Sequence, residues 1–125
     1  MQAIVAPTPS PAEAVLTKAT LRSAALLGLP NTTLARNVGL SDATISRMAA
    51  GKRHFELDSK SAELATLLVR VYRSLDALVV NNEQQRRAWM DSYNQAFNQS
   101  PRESVQTAEG LVQVVRYLDG ARALS

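Results

Sequence analysis

With 125 residues, 46% of them apolar, the chain can bury one compact core, either as a single domain or as two very small ones sharing that core. It has no cysteine and one histidine, His54, which excludes disulfides, thiolate metal sites and histidine metal clusters and fits a reducing cytoplasm. The net charge of +3 is too small to define a partner by itself, and no run of 18 apolar residues predicts a membrane span.

Residues 1–9 are rich in proline and small side chains and read as a disordered tail. The opening MQAIVAPTPSP also lacks the basic start and apolar stretch of a signal peptide. Ser10-Pro11-Ala12-Glu13 has the form of a capping box with proline at the first helical position. It predicts a first helix from about Pro11 to Leu27, ended by Gly28, with Leu16, Ala19, Ala24 and Leu27 on its apolar side. Asn31 to Gly51, NTTLARNVGLSDATISRMAAG, reads as two short helices joined by a tight turn. Ala35 is small where the helices would cross, and Gly39 can take the positive φ of the turn. Ser41 stands as an N-cap and Gly51 as the C-terminal stop of the second helix. Leu34, Val38, Leu40, Ile45 and Met48 would lock the pair onto a third helix.

In the polar connection KRHFELD, Phe55 and Leu57 are expected to tuck back onto the core. A long helix follows from about Ser59 to Val80, with Leu64, Leu67, Leu68, Val71, Leu75, Leu78 and Val79 at helical spacing. Asn81-Asn82 breaks it. A fifth helix near Glu83 carries Trp89, Met90 and Tyr93, and a polar loop from Asn94 to Gln99 surrounds Phe97. Ser100-Pro101-Arg102-Glu103 repeats the capping box. Thr107 then caps a last helix with Leu111, Val114, Val115 and Leu118 on one face. No segment sustains a period of two, so the fold class is all-α. The divisions are a helix-turn-helix unit at 10–58, a long connecting helix at 59–80 and a small helical unit at 81–125.

Any small helical protein can hold two short helices around a glycine. That does not explain Ala35, Gly39, Ile45 and Met48 falling in register together, which points to a DNA-binding helix-turn-helix. Its second helix would turn Asp42, Ala43, Thr44 and Arg47 outward, with Arg47 suited to a guanine edge and the Thr44 methyl to a thymine methyl. Thr33 joins them as a DNA-binding candidate, and Lys52 and Arg53 just beyond are expected to clamp phosphates. Residues 1–60 hold seven cations against four carboxylates, whereas residues 61–125 hold seven of each, so the whole excess lies on this half. A duplex bears one negative charge per ~1.7 Å of axis, and an excess so placed is the footprint it would select.

From about Leu26 onward the order of features resembles the Xre/MbcA/ParS-like antitoxin family. An Xre-type helix-turn-helix and one long helix lead into RRAWMDSYNQAF, QSPRESVQTAEG and LVQVVRYLDG, with Trp89, Asn94, Pro101, Thr107 and Gly110 in the family's order. The resemblance implies a cognate toxin, often a RES-domain enzyme that degrades NAD⁺ or an ADP-ribosylating relative. It also implies that the C-terminal domain and tail cover the toxin's active-site cleft while the helix-turn-helix represses the shared promoter. Tyr117, Arg122, Leu124 and Ser125 are the toxin-contact candidates on this basis, and Trp89 is read first as a core anchor. A homodimer is expected, since one short recognition helix reads few base pairs.

Catalysis is not expected: His54 sits in a basic loop, with no phosphate-binding glycine loop, carboxylate pair or metal spacing in the chain, and no cofactor is implied. Two other readings stay open beside a cytoplasmic antitoxin that binds operator DNA and toxin. One is a stand-alone Xre-like repressor whose C-terminal half dimerises; the other is an interaction protein with a vestigial DNA module.

Overall fold

Among the described residues, side-chain caps set where six of the seven helices begin. The computed structural model describes residues 8–124, so residues 1–7 of the tail expected at 1–9 and the contact expected at Ser125 lie outside it. The helices are α1 (Pro11–Leu26), α2 (Asn31–Val38), α3 (Asp42–Ala49), α4 (Lys60–Leu78), α5 (Glu83–Asp91), α6 (Pro101–Ser104) and α7 (Ala108–Ala123). Ser10, Ser41, Ser59, Asn82, Ser100 and Thr107 each accept from a backbone N–H three residues on, while α2 begins after Pro30 without such a bond. Ser10 and Ser100 complete full capping boxes with Glu13 and Glu103. The Ser10 backbone N–H first, and its hydroxyl second, hold the Glu13 carboxyl below the usual carboxylate range. That cap therefore supports α1 above the range and is lost as acid protonates Glu13.

Helix ends follow the same local logic. Gly39 closes α2 at φ 71° and Gly51 follows α3 at φ 77°. The Gly51 N–H donates to the Met48 carbonyl at 3.0 Å and the Lys52 N–H to that of Arg47 at 2.8 Å, the paired closure of a Schellman turn. Val80 at φ 52° and Asn81 at φ 60° separate α4 from α5. Among the described residues there is no strand; a single bridge pairs Asn94 with Gln99 and brings Phe97 inward.

α4 is the spine, with α1 and α2 packed on it from the N-terminal half and α7 from the C-terminal half. Leu68, Val71 and Leu75 are fully buried there. They join Leu34, Val38, Ile45 and Met48 of the helix-turn-helix to Met90, Val105, Leu111, Val114 and Leu118 in one continuous core. Each such side chain contributes about 1.5–3 kcal/mol when fully buried. The all-α architecture is thus a helix-turn-helix domain followed by a small helical C-terminal domain on a shared long helix.

Two packing expectations are corrected. The buried stripe of α1 is Thr17, Thr20, Ser23 and Ala24, whereas Leu16 is only partly covered. The hydroxyls are small enough to let α1 close on α4, and the two threonine protons return to their own helix. Thr17 donates to the Glu13 carbonyl at 2.8 Å and Thr20 to that of Leu16 at 2.7 Å. Thr17 Oγ1 also accepts from the Phe55 N–H at 2.9 Å, which seats Phe55 in the core. Leu57, two residues later, does not follow it in and is 52% exposed.

Direct bonds stitch the two halves together. The buried Asn37 of α2 donates from Nδ2 to the Val105 carbonyl at 2.6 Å, and Arg36 Nη1 reaches Gln106 Oε1 at 3.4 Å. Asn37 Oδ1 is buried and has no hydrogen-bond partner among the described residues. From α5, Arg86 is 4% exposed and donates from Nε to the Leu26 carbonyl at 2.9 Å. Its Nη1 pairs with Asp76 Oδ1 at 2.8 Å, and its guanidinium lies 5.6 Å from the Tyr72 ring centroid.

Candidate nucleic-acid and toxin interfaces

α3 buries Thr44, Ile45 and Met48 against α2 and the core and turns Asp42, Ala43, Ser46, Arg47, Ala49 and Ala50 to solvent. Asp42, Ala43 and Arg47 therefore stand where the sequence placed them. Thr44 does not: at 7% exposure it faces inward and offers no methyl to a groove. The spacing explains this, because Thr44 lies one turn ahead of Met48 on the face that Ile45 also buries. Its place on the outer face is taken by Ser46, legible from the helical interval Ala43, Ser46 and Ala50. Thr33 is half-buried in the first turn of α2.

The cap of α3 is a small hydrogen-bonded unit. Ser41 Oγ accepts from the Thr44 N–H at 3.1 Å and lies 2.9 Å from Thr44 Oγ1. Arg47 Nη2 donates to the same Thr44 Oγ1 at 3.5 Å. Lys52 and Arg53 are exposed directly after the Schellman turn. Lys18 of α1 lines a cavity with Met48, Ala49, Gly51 and His54, so a third cation stands beside the end of α3. Nothing local in the sequence marks Lys18, since its place beside α3 is set by the tertiary packing of α1.

Among the described residues, Lys18, Arg22, Arg36, Arg47, Lys52 and Arg53 have no carboxylate partner, and only Lys60 of the N-terminal cations is paired. In the other half Arg70, Arg86, Arg87 and Arg102 are each paired with an acid, whereas among the described residues Arg73, Arg116 and Arg122 are not. Four of the unpaired cations, Lys18, Arg47, Lys52 and Arg53, lie on or beside α3 and its C-terminal turn.

The C-terminal half presents an aromatic surface. Trp89 and Tyr117 stack with centroids 6.2 Å apart, and Phe97 meets Tyr117 edge-on at 5.3 Å. Tyr117 is nevertheless 44% exposed, and Trp89 is only partly covered by the core. Beside them a groove of about 430 Å³ is lined by Val79, Ala88, Trp89, Ser92 and Tyr93, among others. Val80, a β-branched residue held at positive φ, projects into solvent next to Val79. On α7, Arg122 Nη1 donates to Ser74 Oγ at 3.3 Å and Asp119 pairs with Arg70 at 2.5 Å, while Leu124 is almost wholly exposed.

The spacing of Thr107 and Gly110 also gains a physical reason. Thr107 Oγ1 accepts from the Gly110 N–H at 3.0 Å, and the Gly110 carbonyl accepts from Ser104 Oγ at 3.1 Å. A Cβ on Gly110 would lie 2.0 Å from the Ser104 carbonyl oxygen. α6 and α7 meet so closely that glycine alone fits.

Fold and surface together define a helix-turn-helix DNA-binding protein with a second, helical module. Residues 12–70 match the family model of the antitoxin Xre-like helix-turn-helix domain, and residues 74–123 match that of the antitoxin Xre/MbcA/ParS C-terminal toxin-binding domain. The chain belongs to this antitoxin family and is the antitoxin of a toxin–antitoxin pair, with DNA and a toxin as its two kinds of partner. No curated protein matches it. No helix among the described residues is long and apolar enough to cross a membrane.

Proposed function

We propose that this antitoxin represses its own operon through α3 and neutralises a RES-type, NAD⁺-degrading toxin with its C-terminal half, acting in the cytoplasm by binding alone. The observation that carries the DNA half is the concentration of unpaired cations around an exposed recognition face bearing Arg47. Arg47 is the base reader, Asp42 and Ala43 flank it, Thr33 approaches the backbone, and Lys52, Arg53 and Lys18 neutralise phosphates. On this reading residues 10–58 form the DNA unit, 59–80 the spine and 81–125 the toxin unit. Tyr117, Arg122, Leu124 and Ser125 touch the toxin, supported by the exposed aromatic surface and by the projecting Leu124. The RES class is what the family resemblance implies.

Arg47→Ala is expected to abolish preference for the duplex upstream of the gene, a loss of about 1–3 kcal/mol per base contact. Lys52→Ala should weaken all DNA alike and lower the salt slope by about one phosphate. Fluorescence anisotropy over a salt series measures both, and an unchanged preference in Arg47→Ala would remove α3's outer face from the reading. Two half-sites call for a homodimer. Light scattering of the DNA complex giving one chain per duplex would rule that out.

Deleting the residues after Asp119 should lose protection of cells that co-express the neighbouring toxin, with NAD⁺ falling, while promoter repression persists. Full protection by the truncated chain would move the contact to the aromatic surface.

A further inference from the structure

A guanidinium has donors and no acceptor. The contact of Arg47 Nη2 with Thr44 Oγ1 therefore makes that oxygen the acceptor, and the Thr44 proton must go elsewhere. Ser41 Oγ lies 2.9 Å away, in a hydroxyl–hydroxyl hydrogen bond that either oxygen can donate, and the same Ser41 oxygen takes the Thr44 N–H at 3.1 Å. The result is one continuous chain of hydrogen bonds from Arg47 through Thr44 to the cap of α3. Its two ends are exposed and its middle is closed from solvent. Arg47 has no carboxylate within ion-pairing distance among the described residues, so Thr44 is the side chain that holds it. An exposed arginine has rotamer freedom that contact with a base must remove.

We propose that Thr44 is a positioning residue for operator discrimination: its buried hydroxyl sets Arg47 in the reading conformation before DNA arrives, without touching a base. This rests on the assignment of Arg47 as base reader. Preorganisation of this kind raises affinity by lowering the ordering cost of the contact it serves. It therefore acts on discrimination between sequences and leaves phosphate binding unchanged.

The test is an anisotropy titration of the full chain on two duplexes, one covering the region upstream of its gene and one a shuffled sequence of equal composition. Thr44→Val keeps the shape and removes the hydroxyl, whereas Thr44→Ser keeps the hydroxyl. Thr44→Val is expected to lose roughly three- to tenfold in discrimination with an unchanged salt slope. Thr44→Ser should stay near the parent, and the valine effect should vanish in an Arg47→Ala background. Thermal melts accompany each variant, and Thr44→Cys, a far weaker acceptor, repeats the test if valine unfolds the cap. The proposal is overturned if Arg47→Ala loses discrimination while Thr44→Val retains it. It is also overturned if Thr44→Ser falls as far as Thr44→Val, or if the valine effect persists without Arg47. If Arg47→Ala itself discriminates like the parent, the base-reader assignment fails, and that outcome is distinct from the others.

Discussion

Gly110→Ala is expected to cost at least about 3 kcal/mol and to loosen α6 and α7 from each other. An alanine in an ordinary helix position would instead improve stability by up to about 1 kcal/mol. The difference lies in the atom the methyl meets. Ser104's carbonyl oxygen is backbone, 2.0 Å from where the methyl would lie and tied to the turn that precedes Thr107, so it cannot swing aside as a flexible side chain would. Moving it also breaks the Ser104 hydroxyl's bond to the Gly110 carbonyl, a contact sealed from water. Gly120→Ala is the matched control on the same helix, since nothing lies within 4 Å of its added methyl. Urea denaturation followed by circular dichroism should show Gly110→Ala far below the parent and Gly120→Ala at or above it. Equal midpoints for the two variants would mean that α6 and α7 can part at little cost.

Arg86→Met should be nearly as damaging, at about 3 kcal/mol. Methionine fills much of the arginine's volume, so the loss comes from what is left unpartnered. Asp76 would keep a carboxylate with little access to water, and the Leu26 carbonyl at the end of α1 would lose its donor. Pairing the change with Asp76→Leu removes the stranded charge and should recover a good part of the loss. A double mutant no better than Arg86→Met in the same urea series would show that the ion pair is not the source of the effect.

The ends of helices were legible because capping is local. Ser10, Ser41, Ser100 and Thr107 lie within three residues of the amides they serve, and Gly39 and Gly51 were readable as positions needing φ > 0. The apolar stripe of α7 was equally readable from its interval. What stayed hidden depends on partners far along the chain. Thr17, Thr20 and Ser23 look like a solvent face until α4 closes on them. Arg86 cannot be told from Arg87 beside it, yet one is sealed in the core and the other pairs with Glu83 at the surface. At α3 the sequence identified the element and the outward position of Arg47, but it sent Thr44 outward too. A threonine at that step suits either face, and the choice is made by how Ile45 and Met48 seat against α2.

The seam between the halves is written unevenly in the sequence. On one side stand Asn37 and Arg86, whose particular side chains supply the donors; on the other stand the carbonyls of Leu26 and Val105, which belong to the path of the backbone. Over evolutionary drift the two sides are under different rules. Positions 26 and 105 are free to exchange one apolar residue for another, because every residue brings a carbonyl. Positions 37 and 86 admit few substitutes, since the donor geometry resides in the side chain. A graft of this helix-turn-helix onto a related toxin-binding half would keep its seam if the recipient carried arginine at the position of Arg86 and turned its chain as Val105 does, however different the remaining letters.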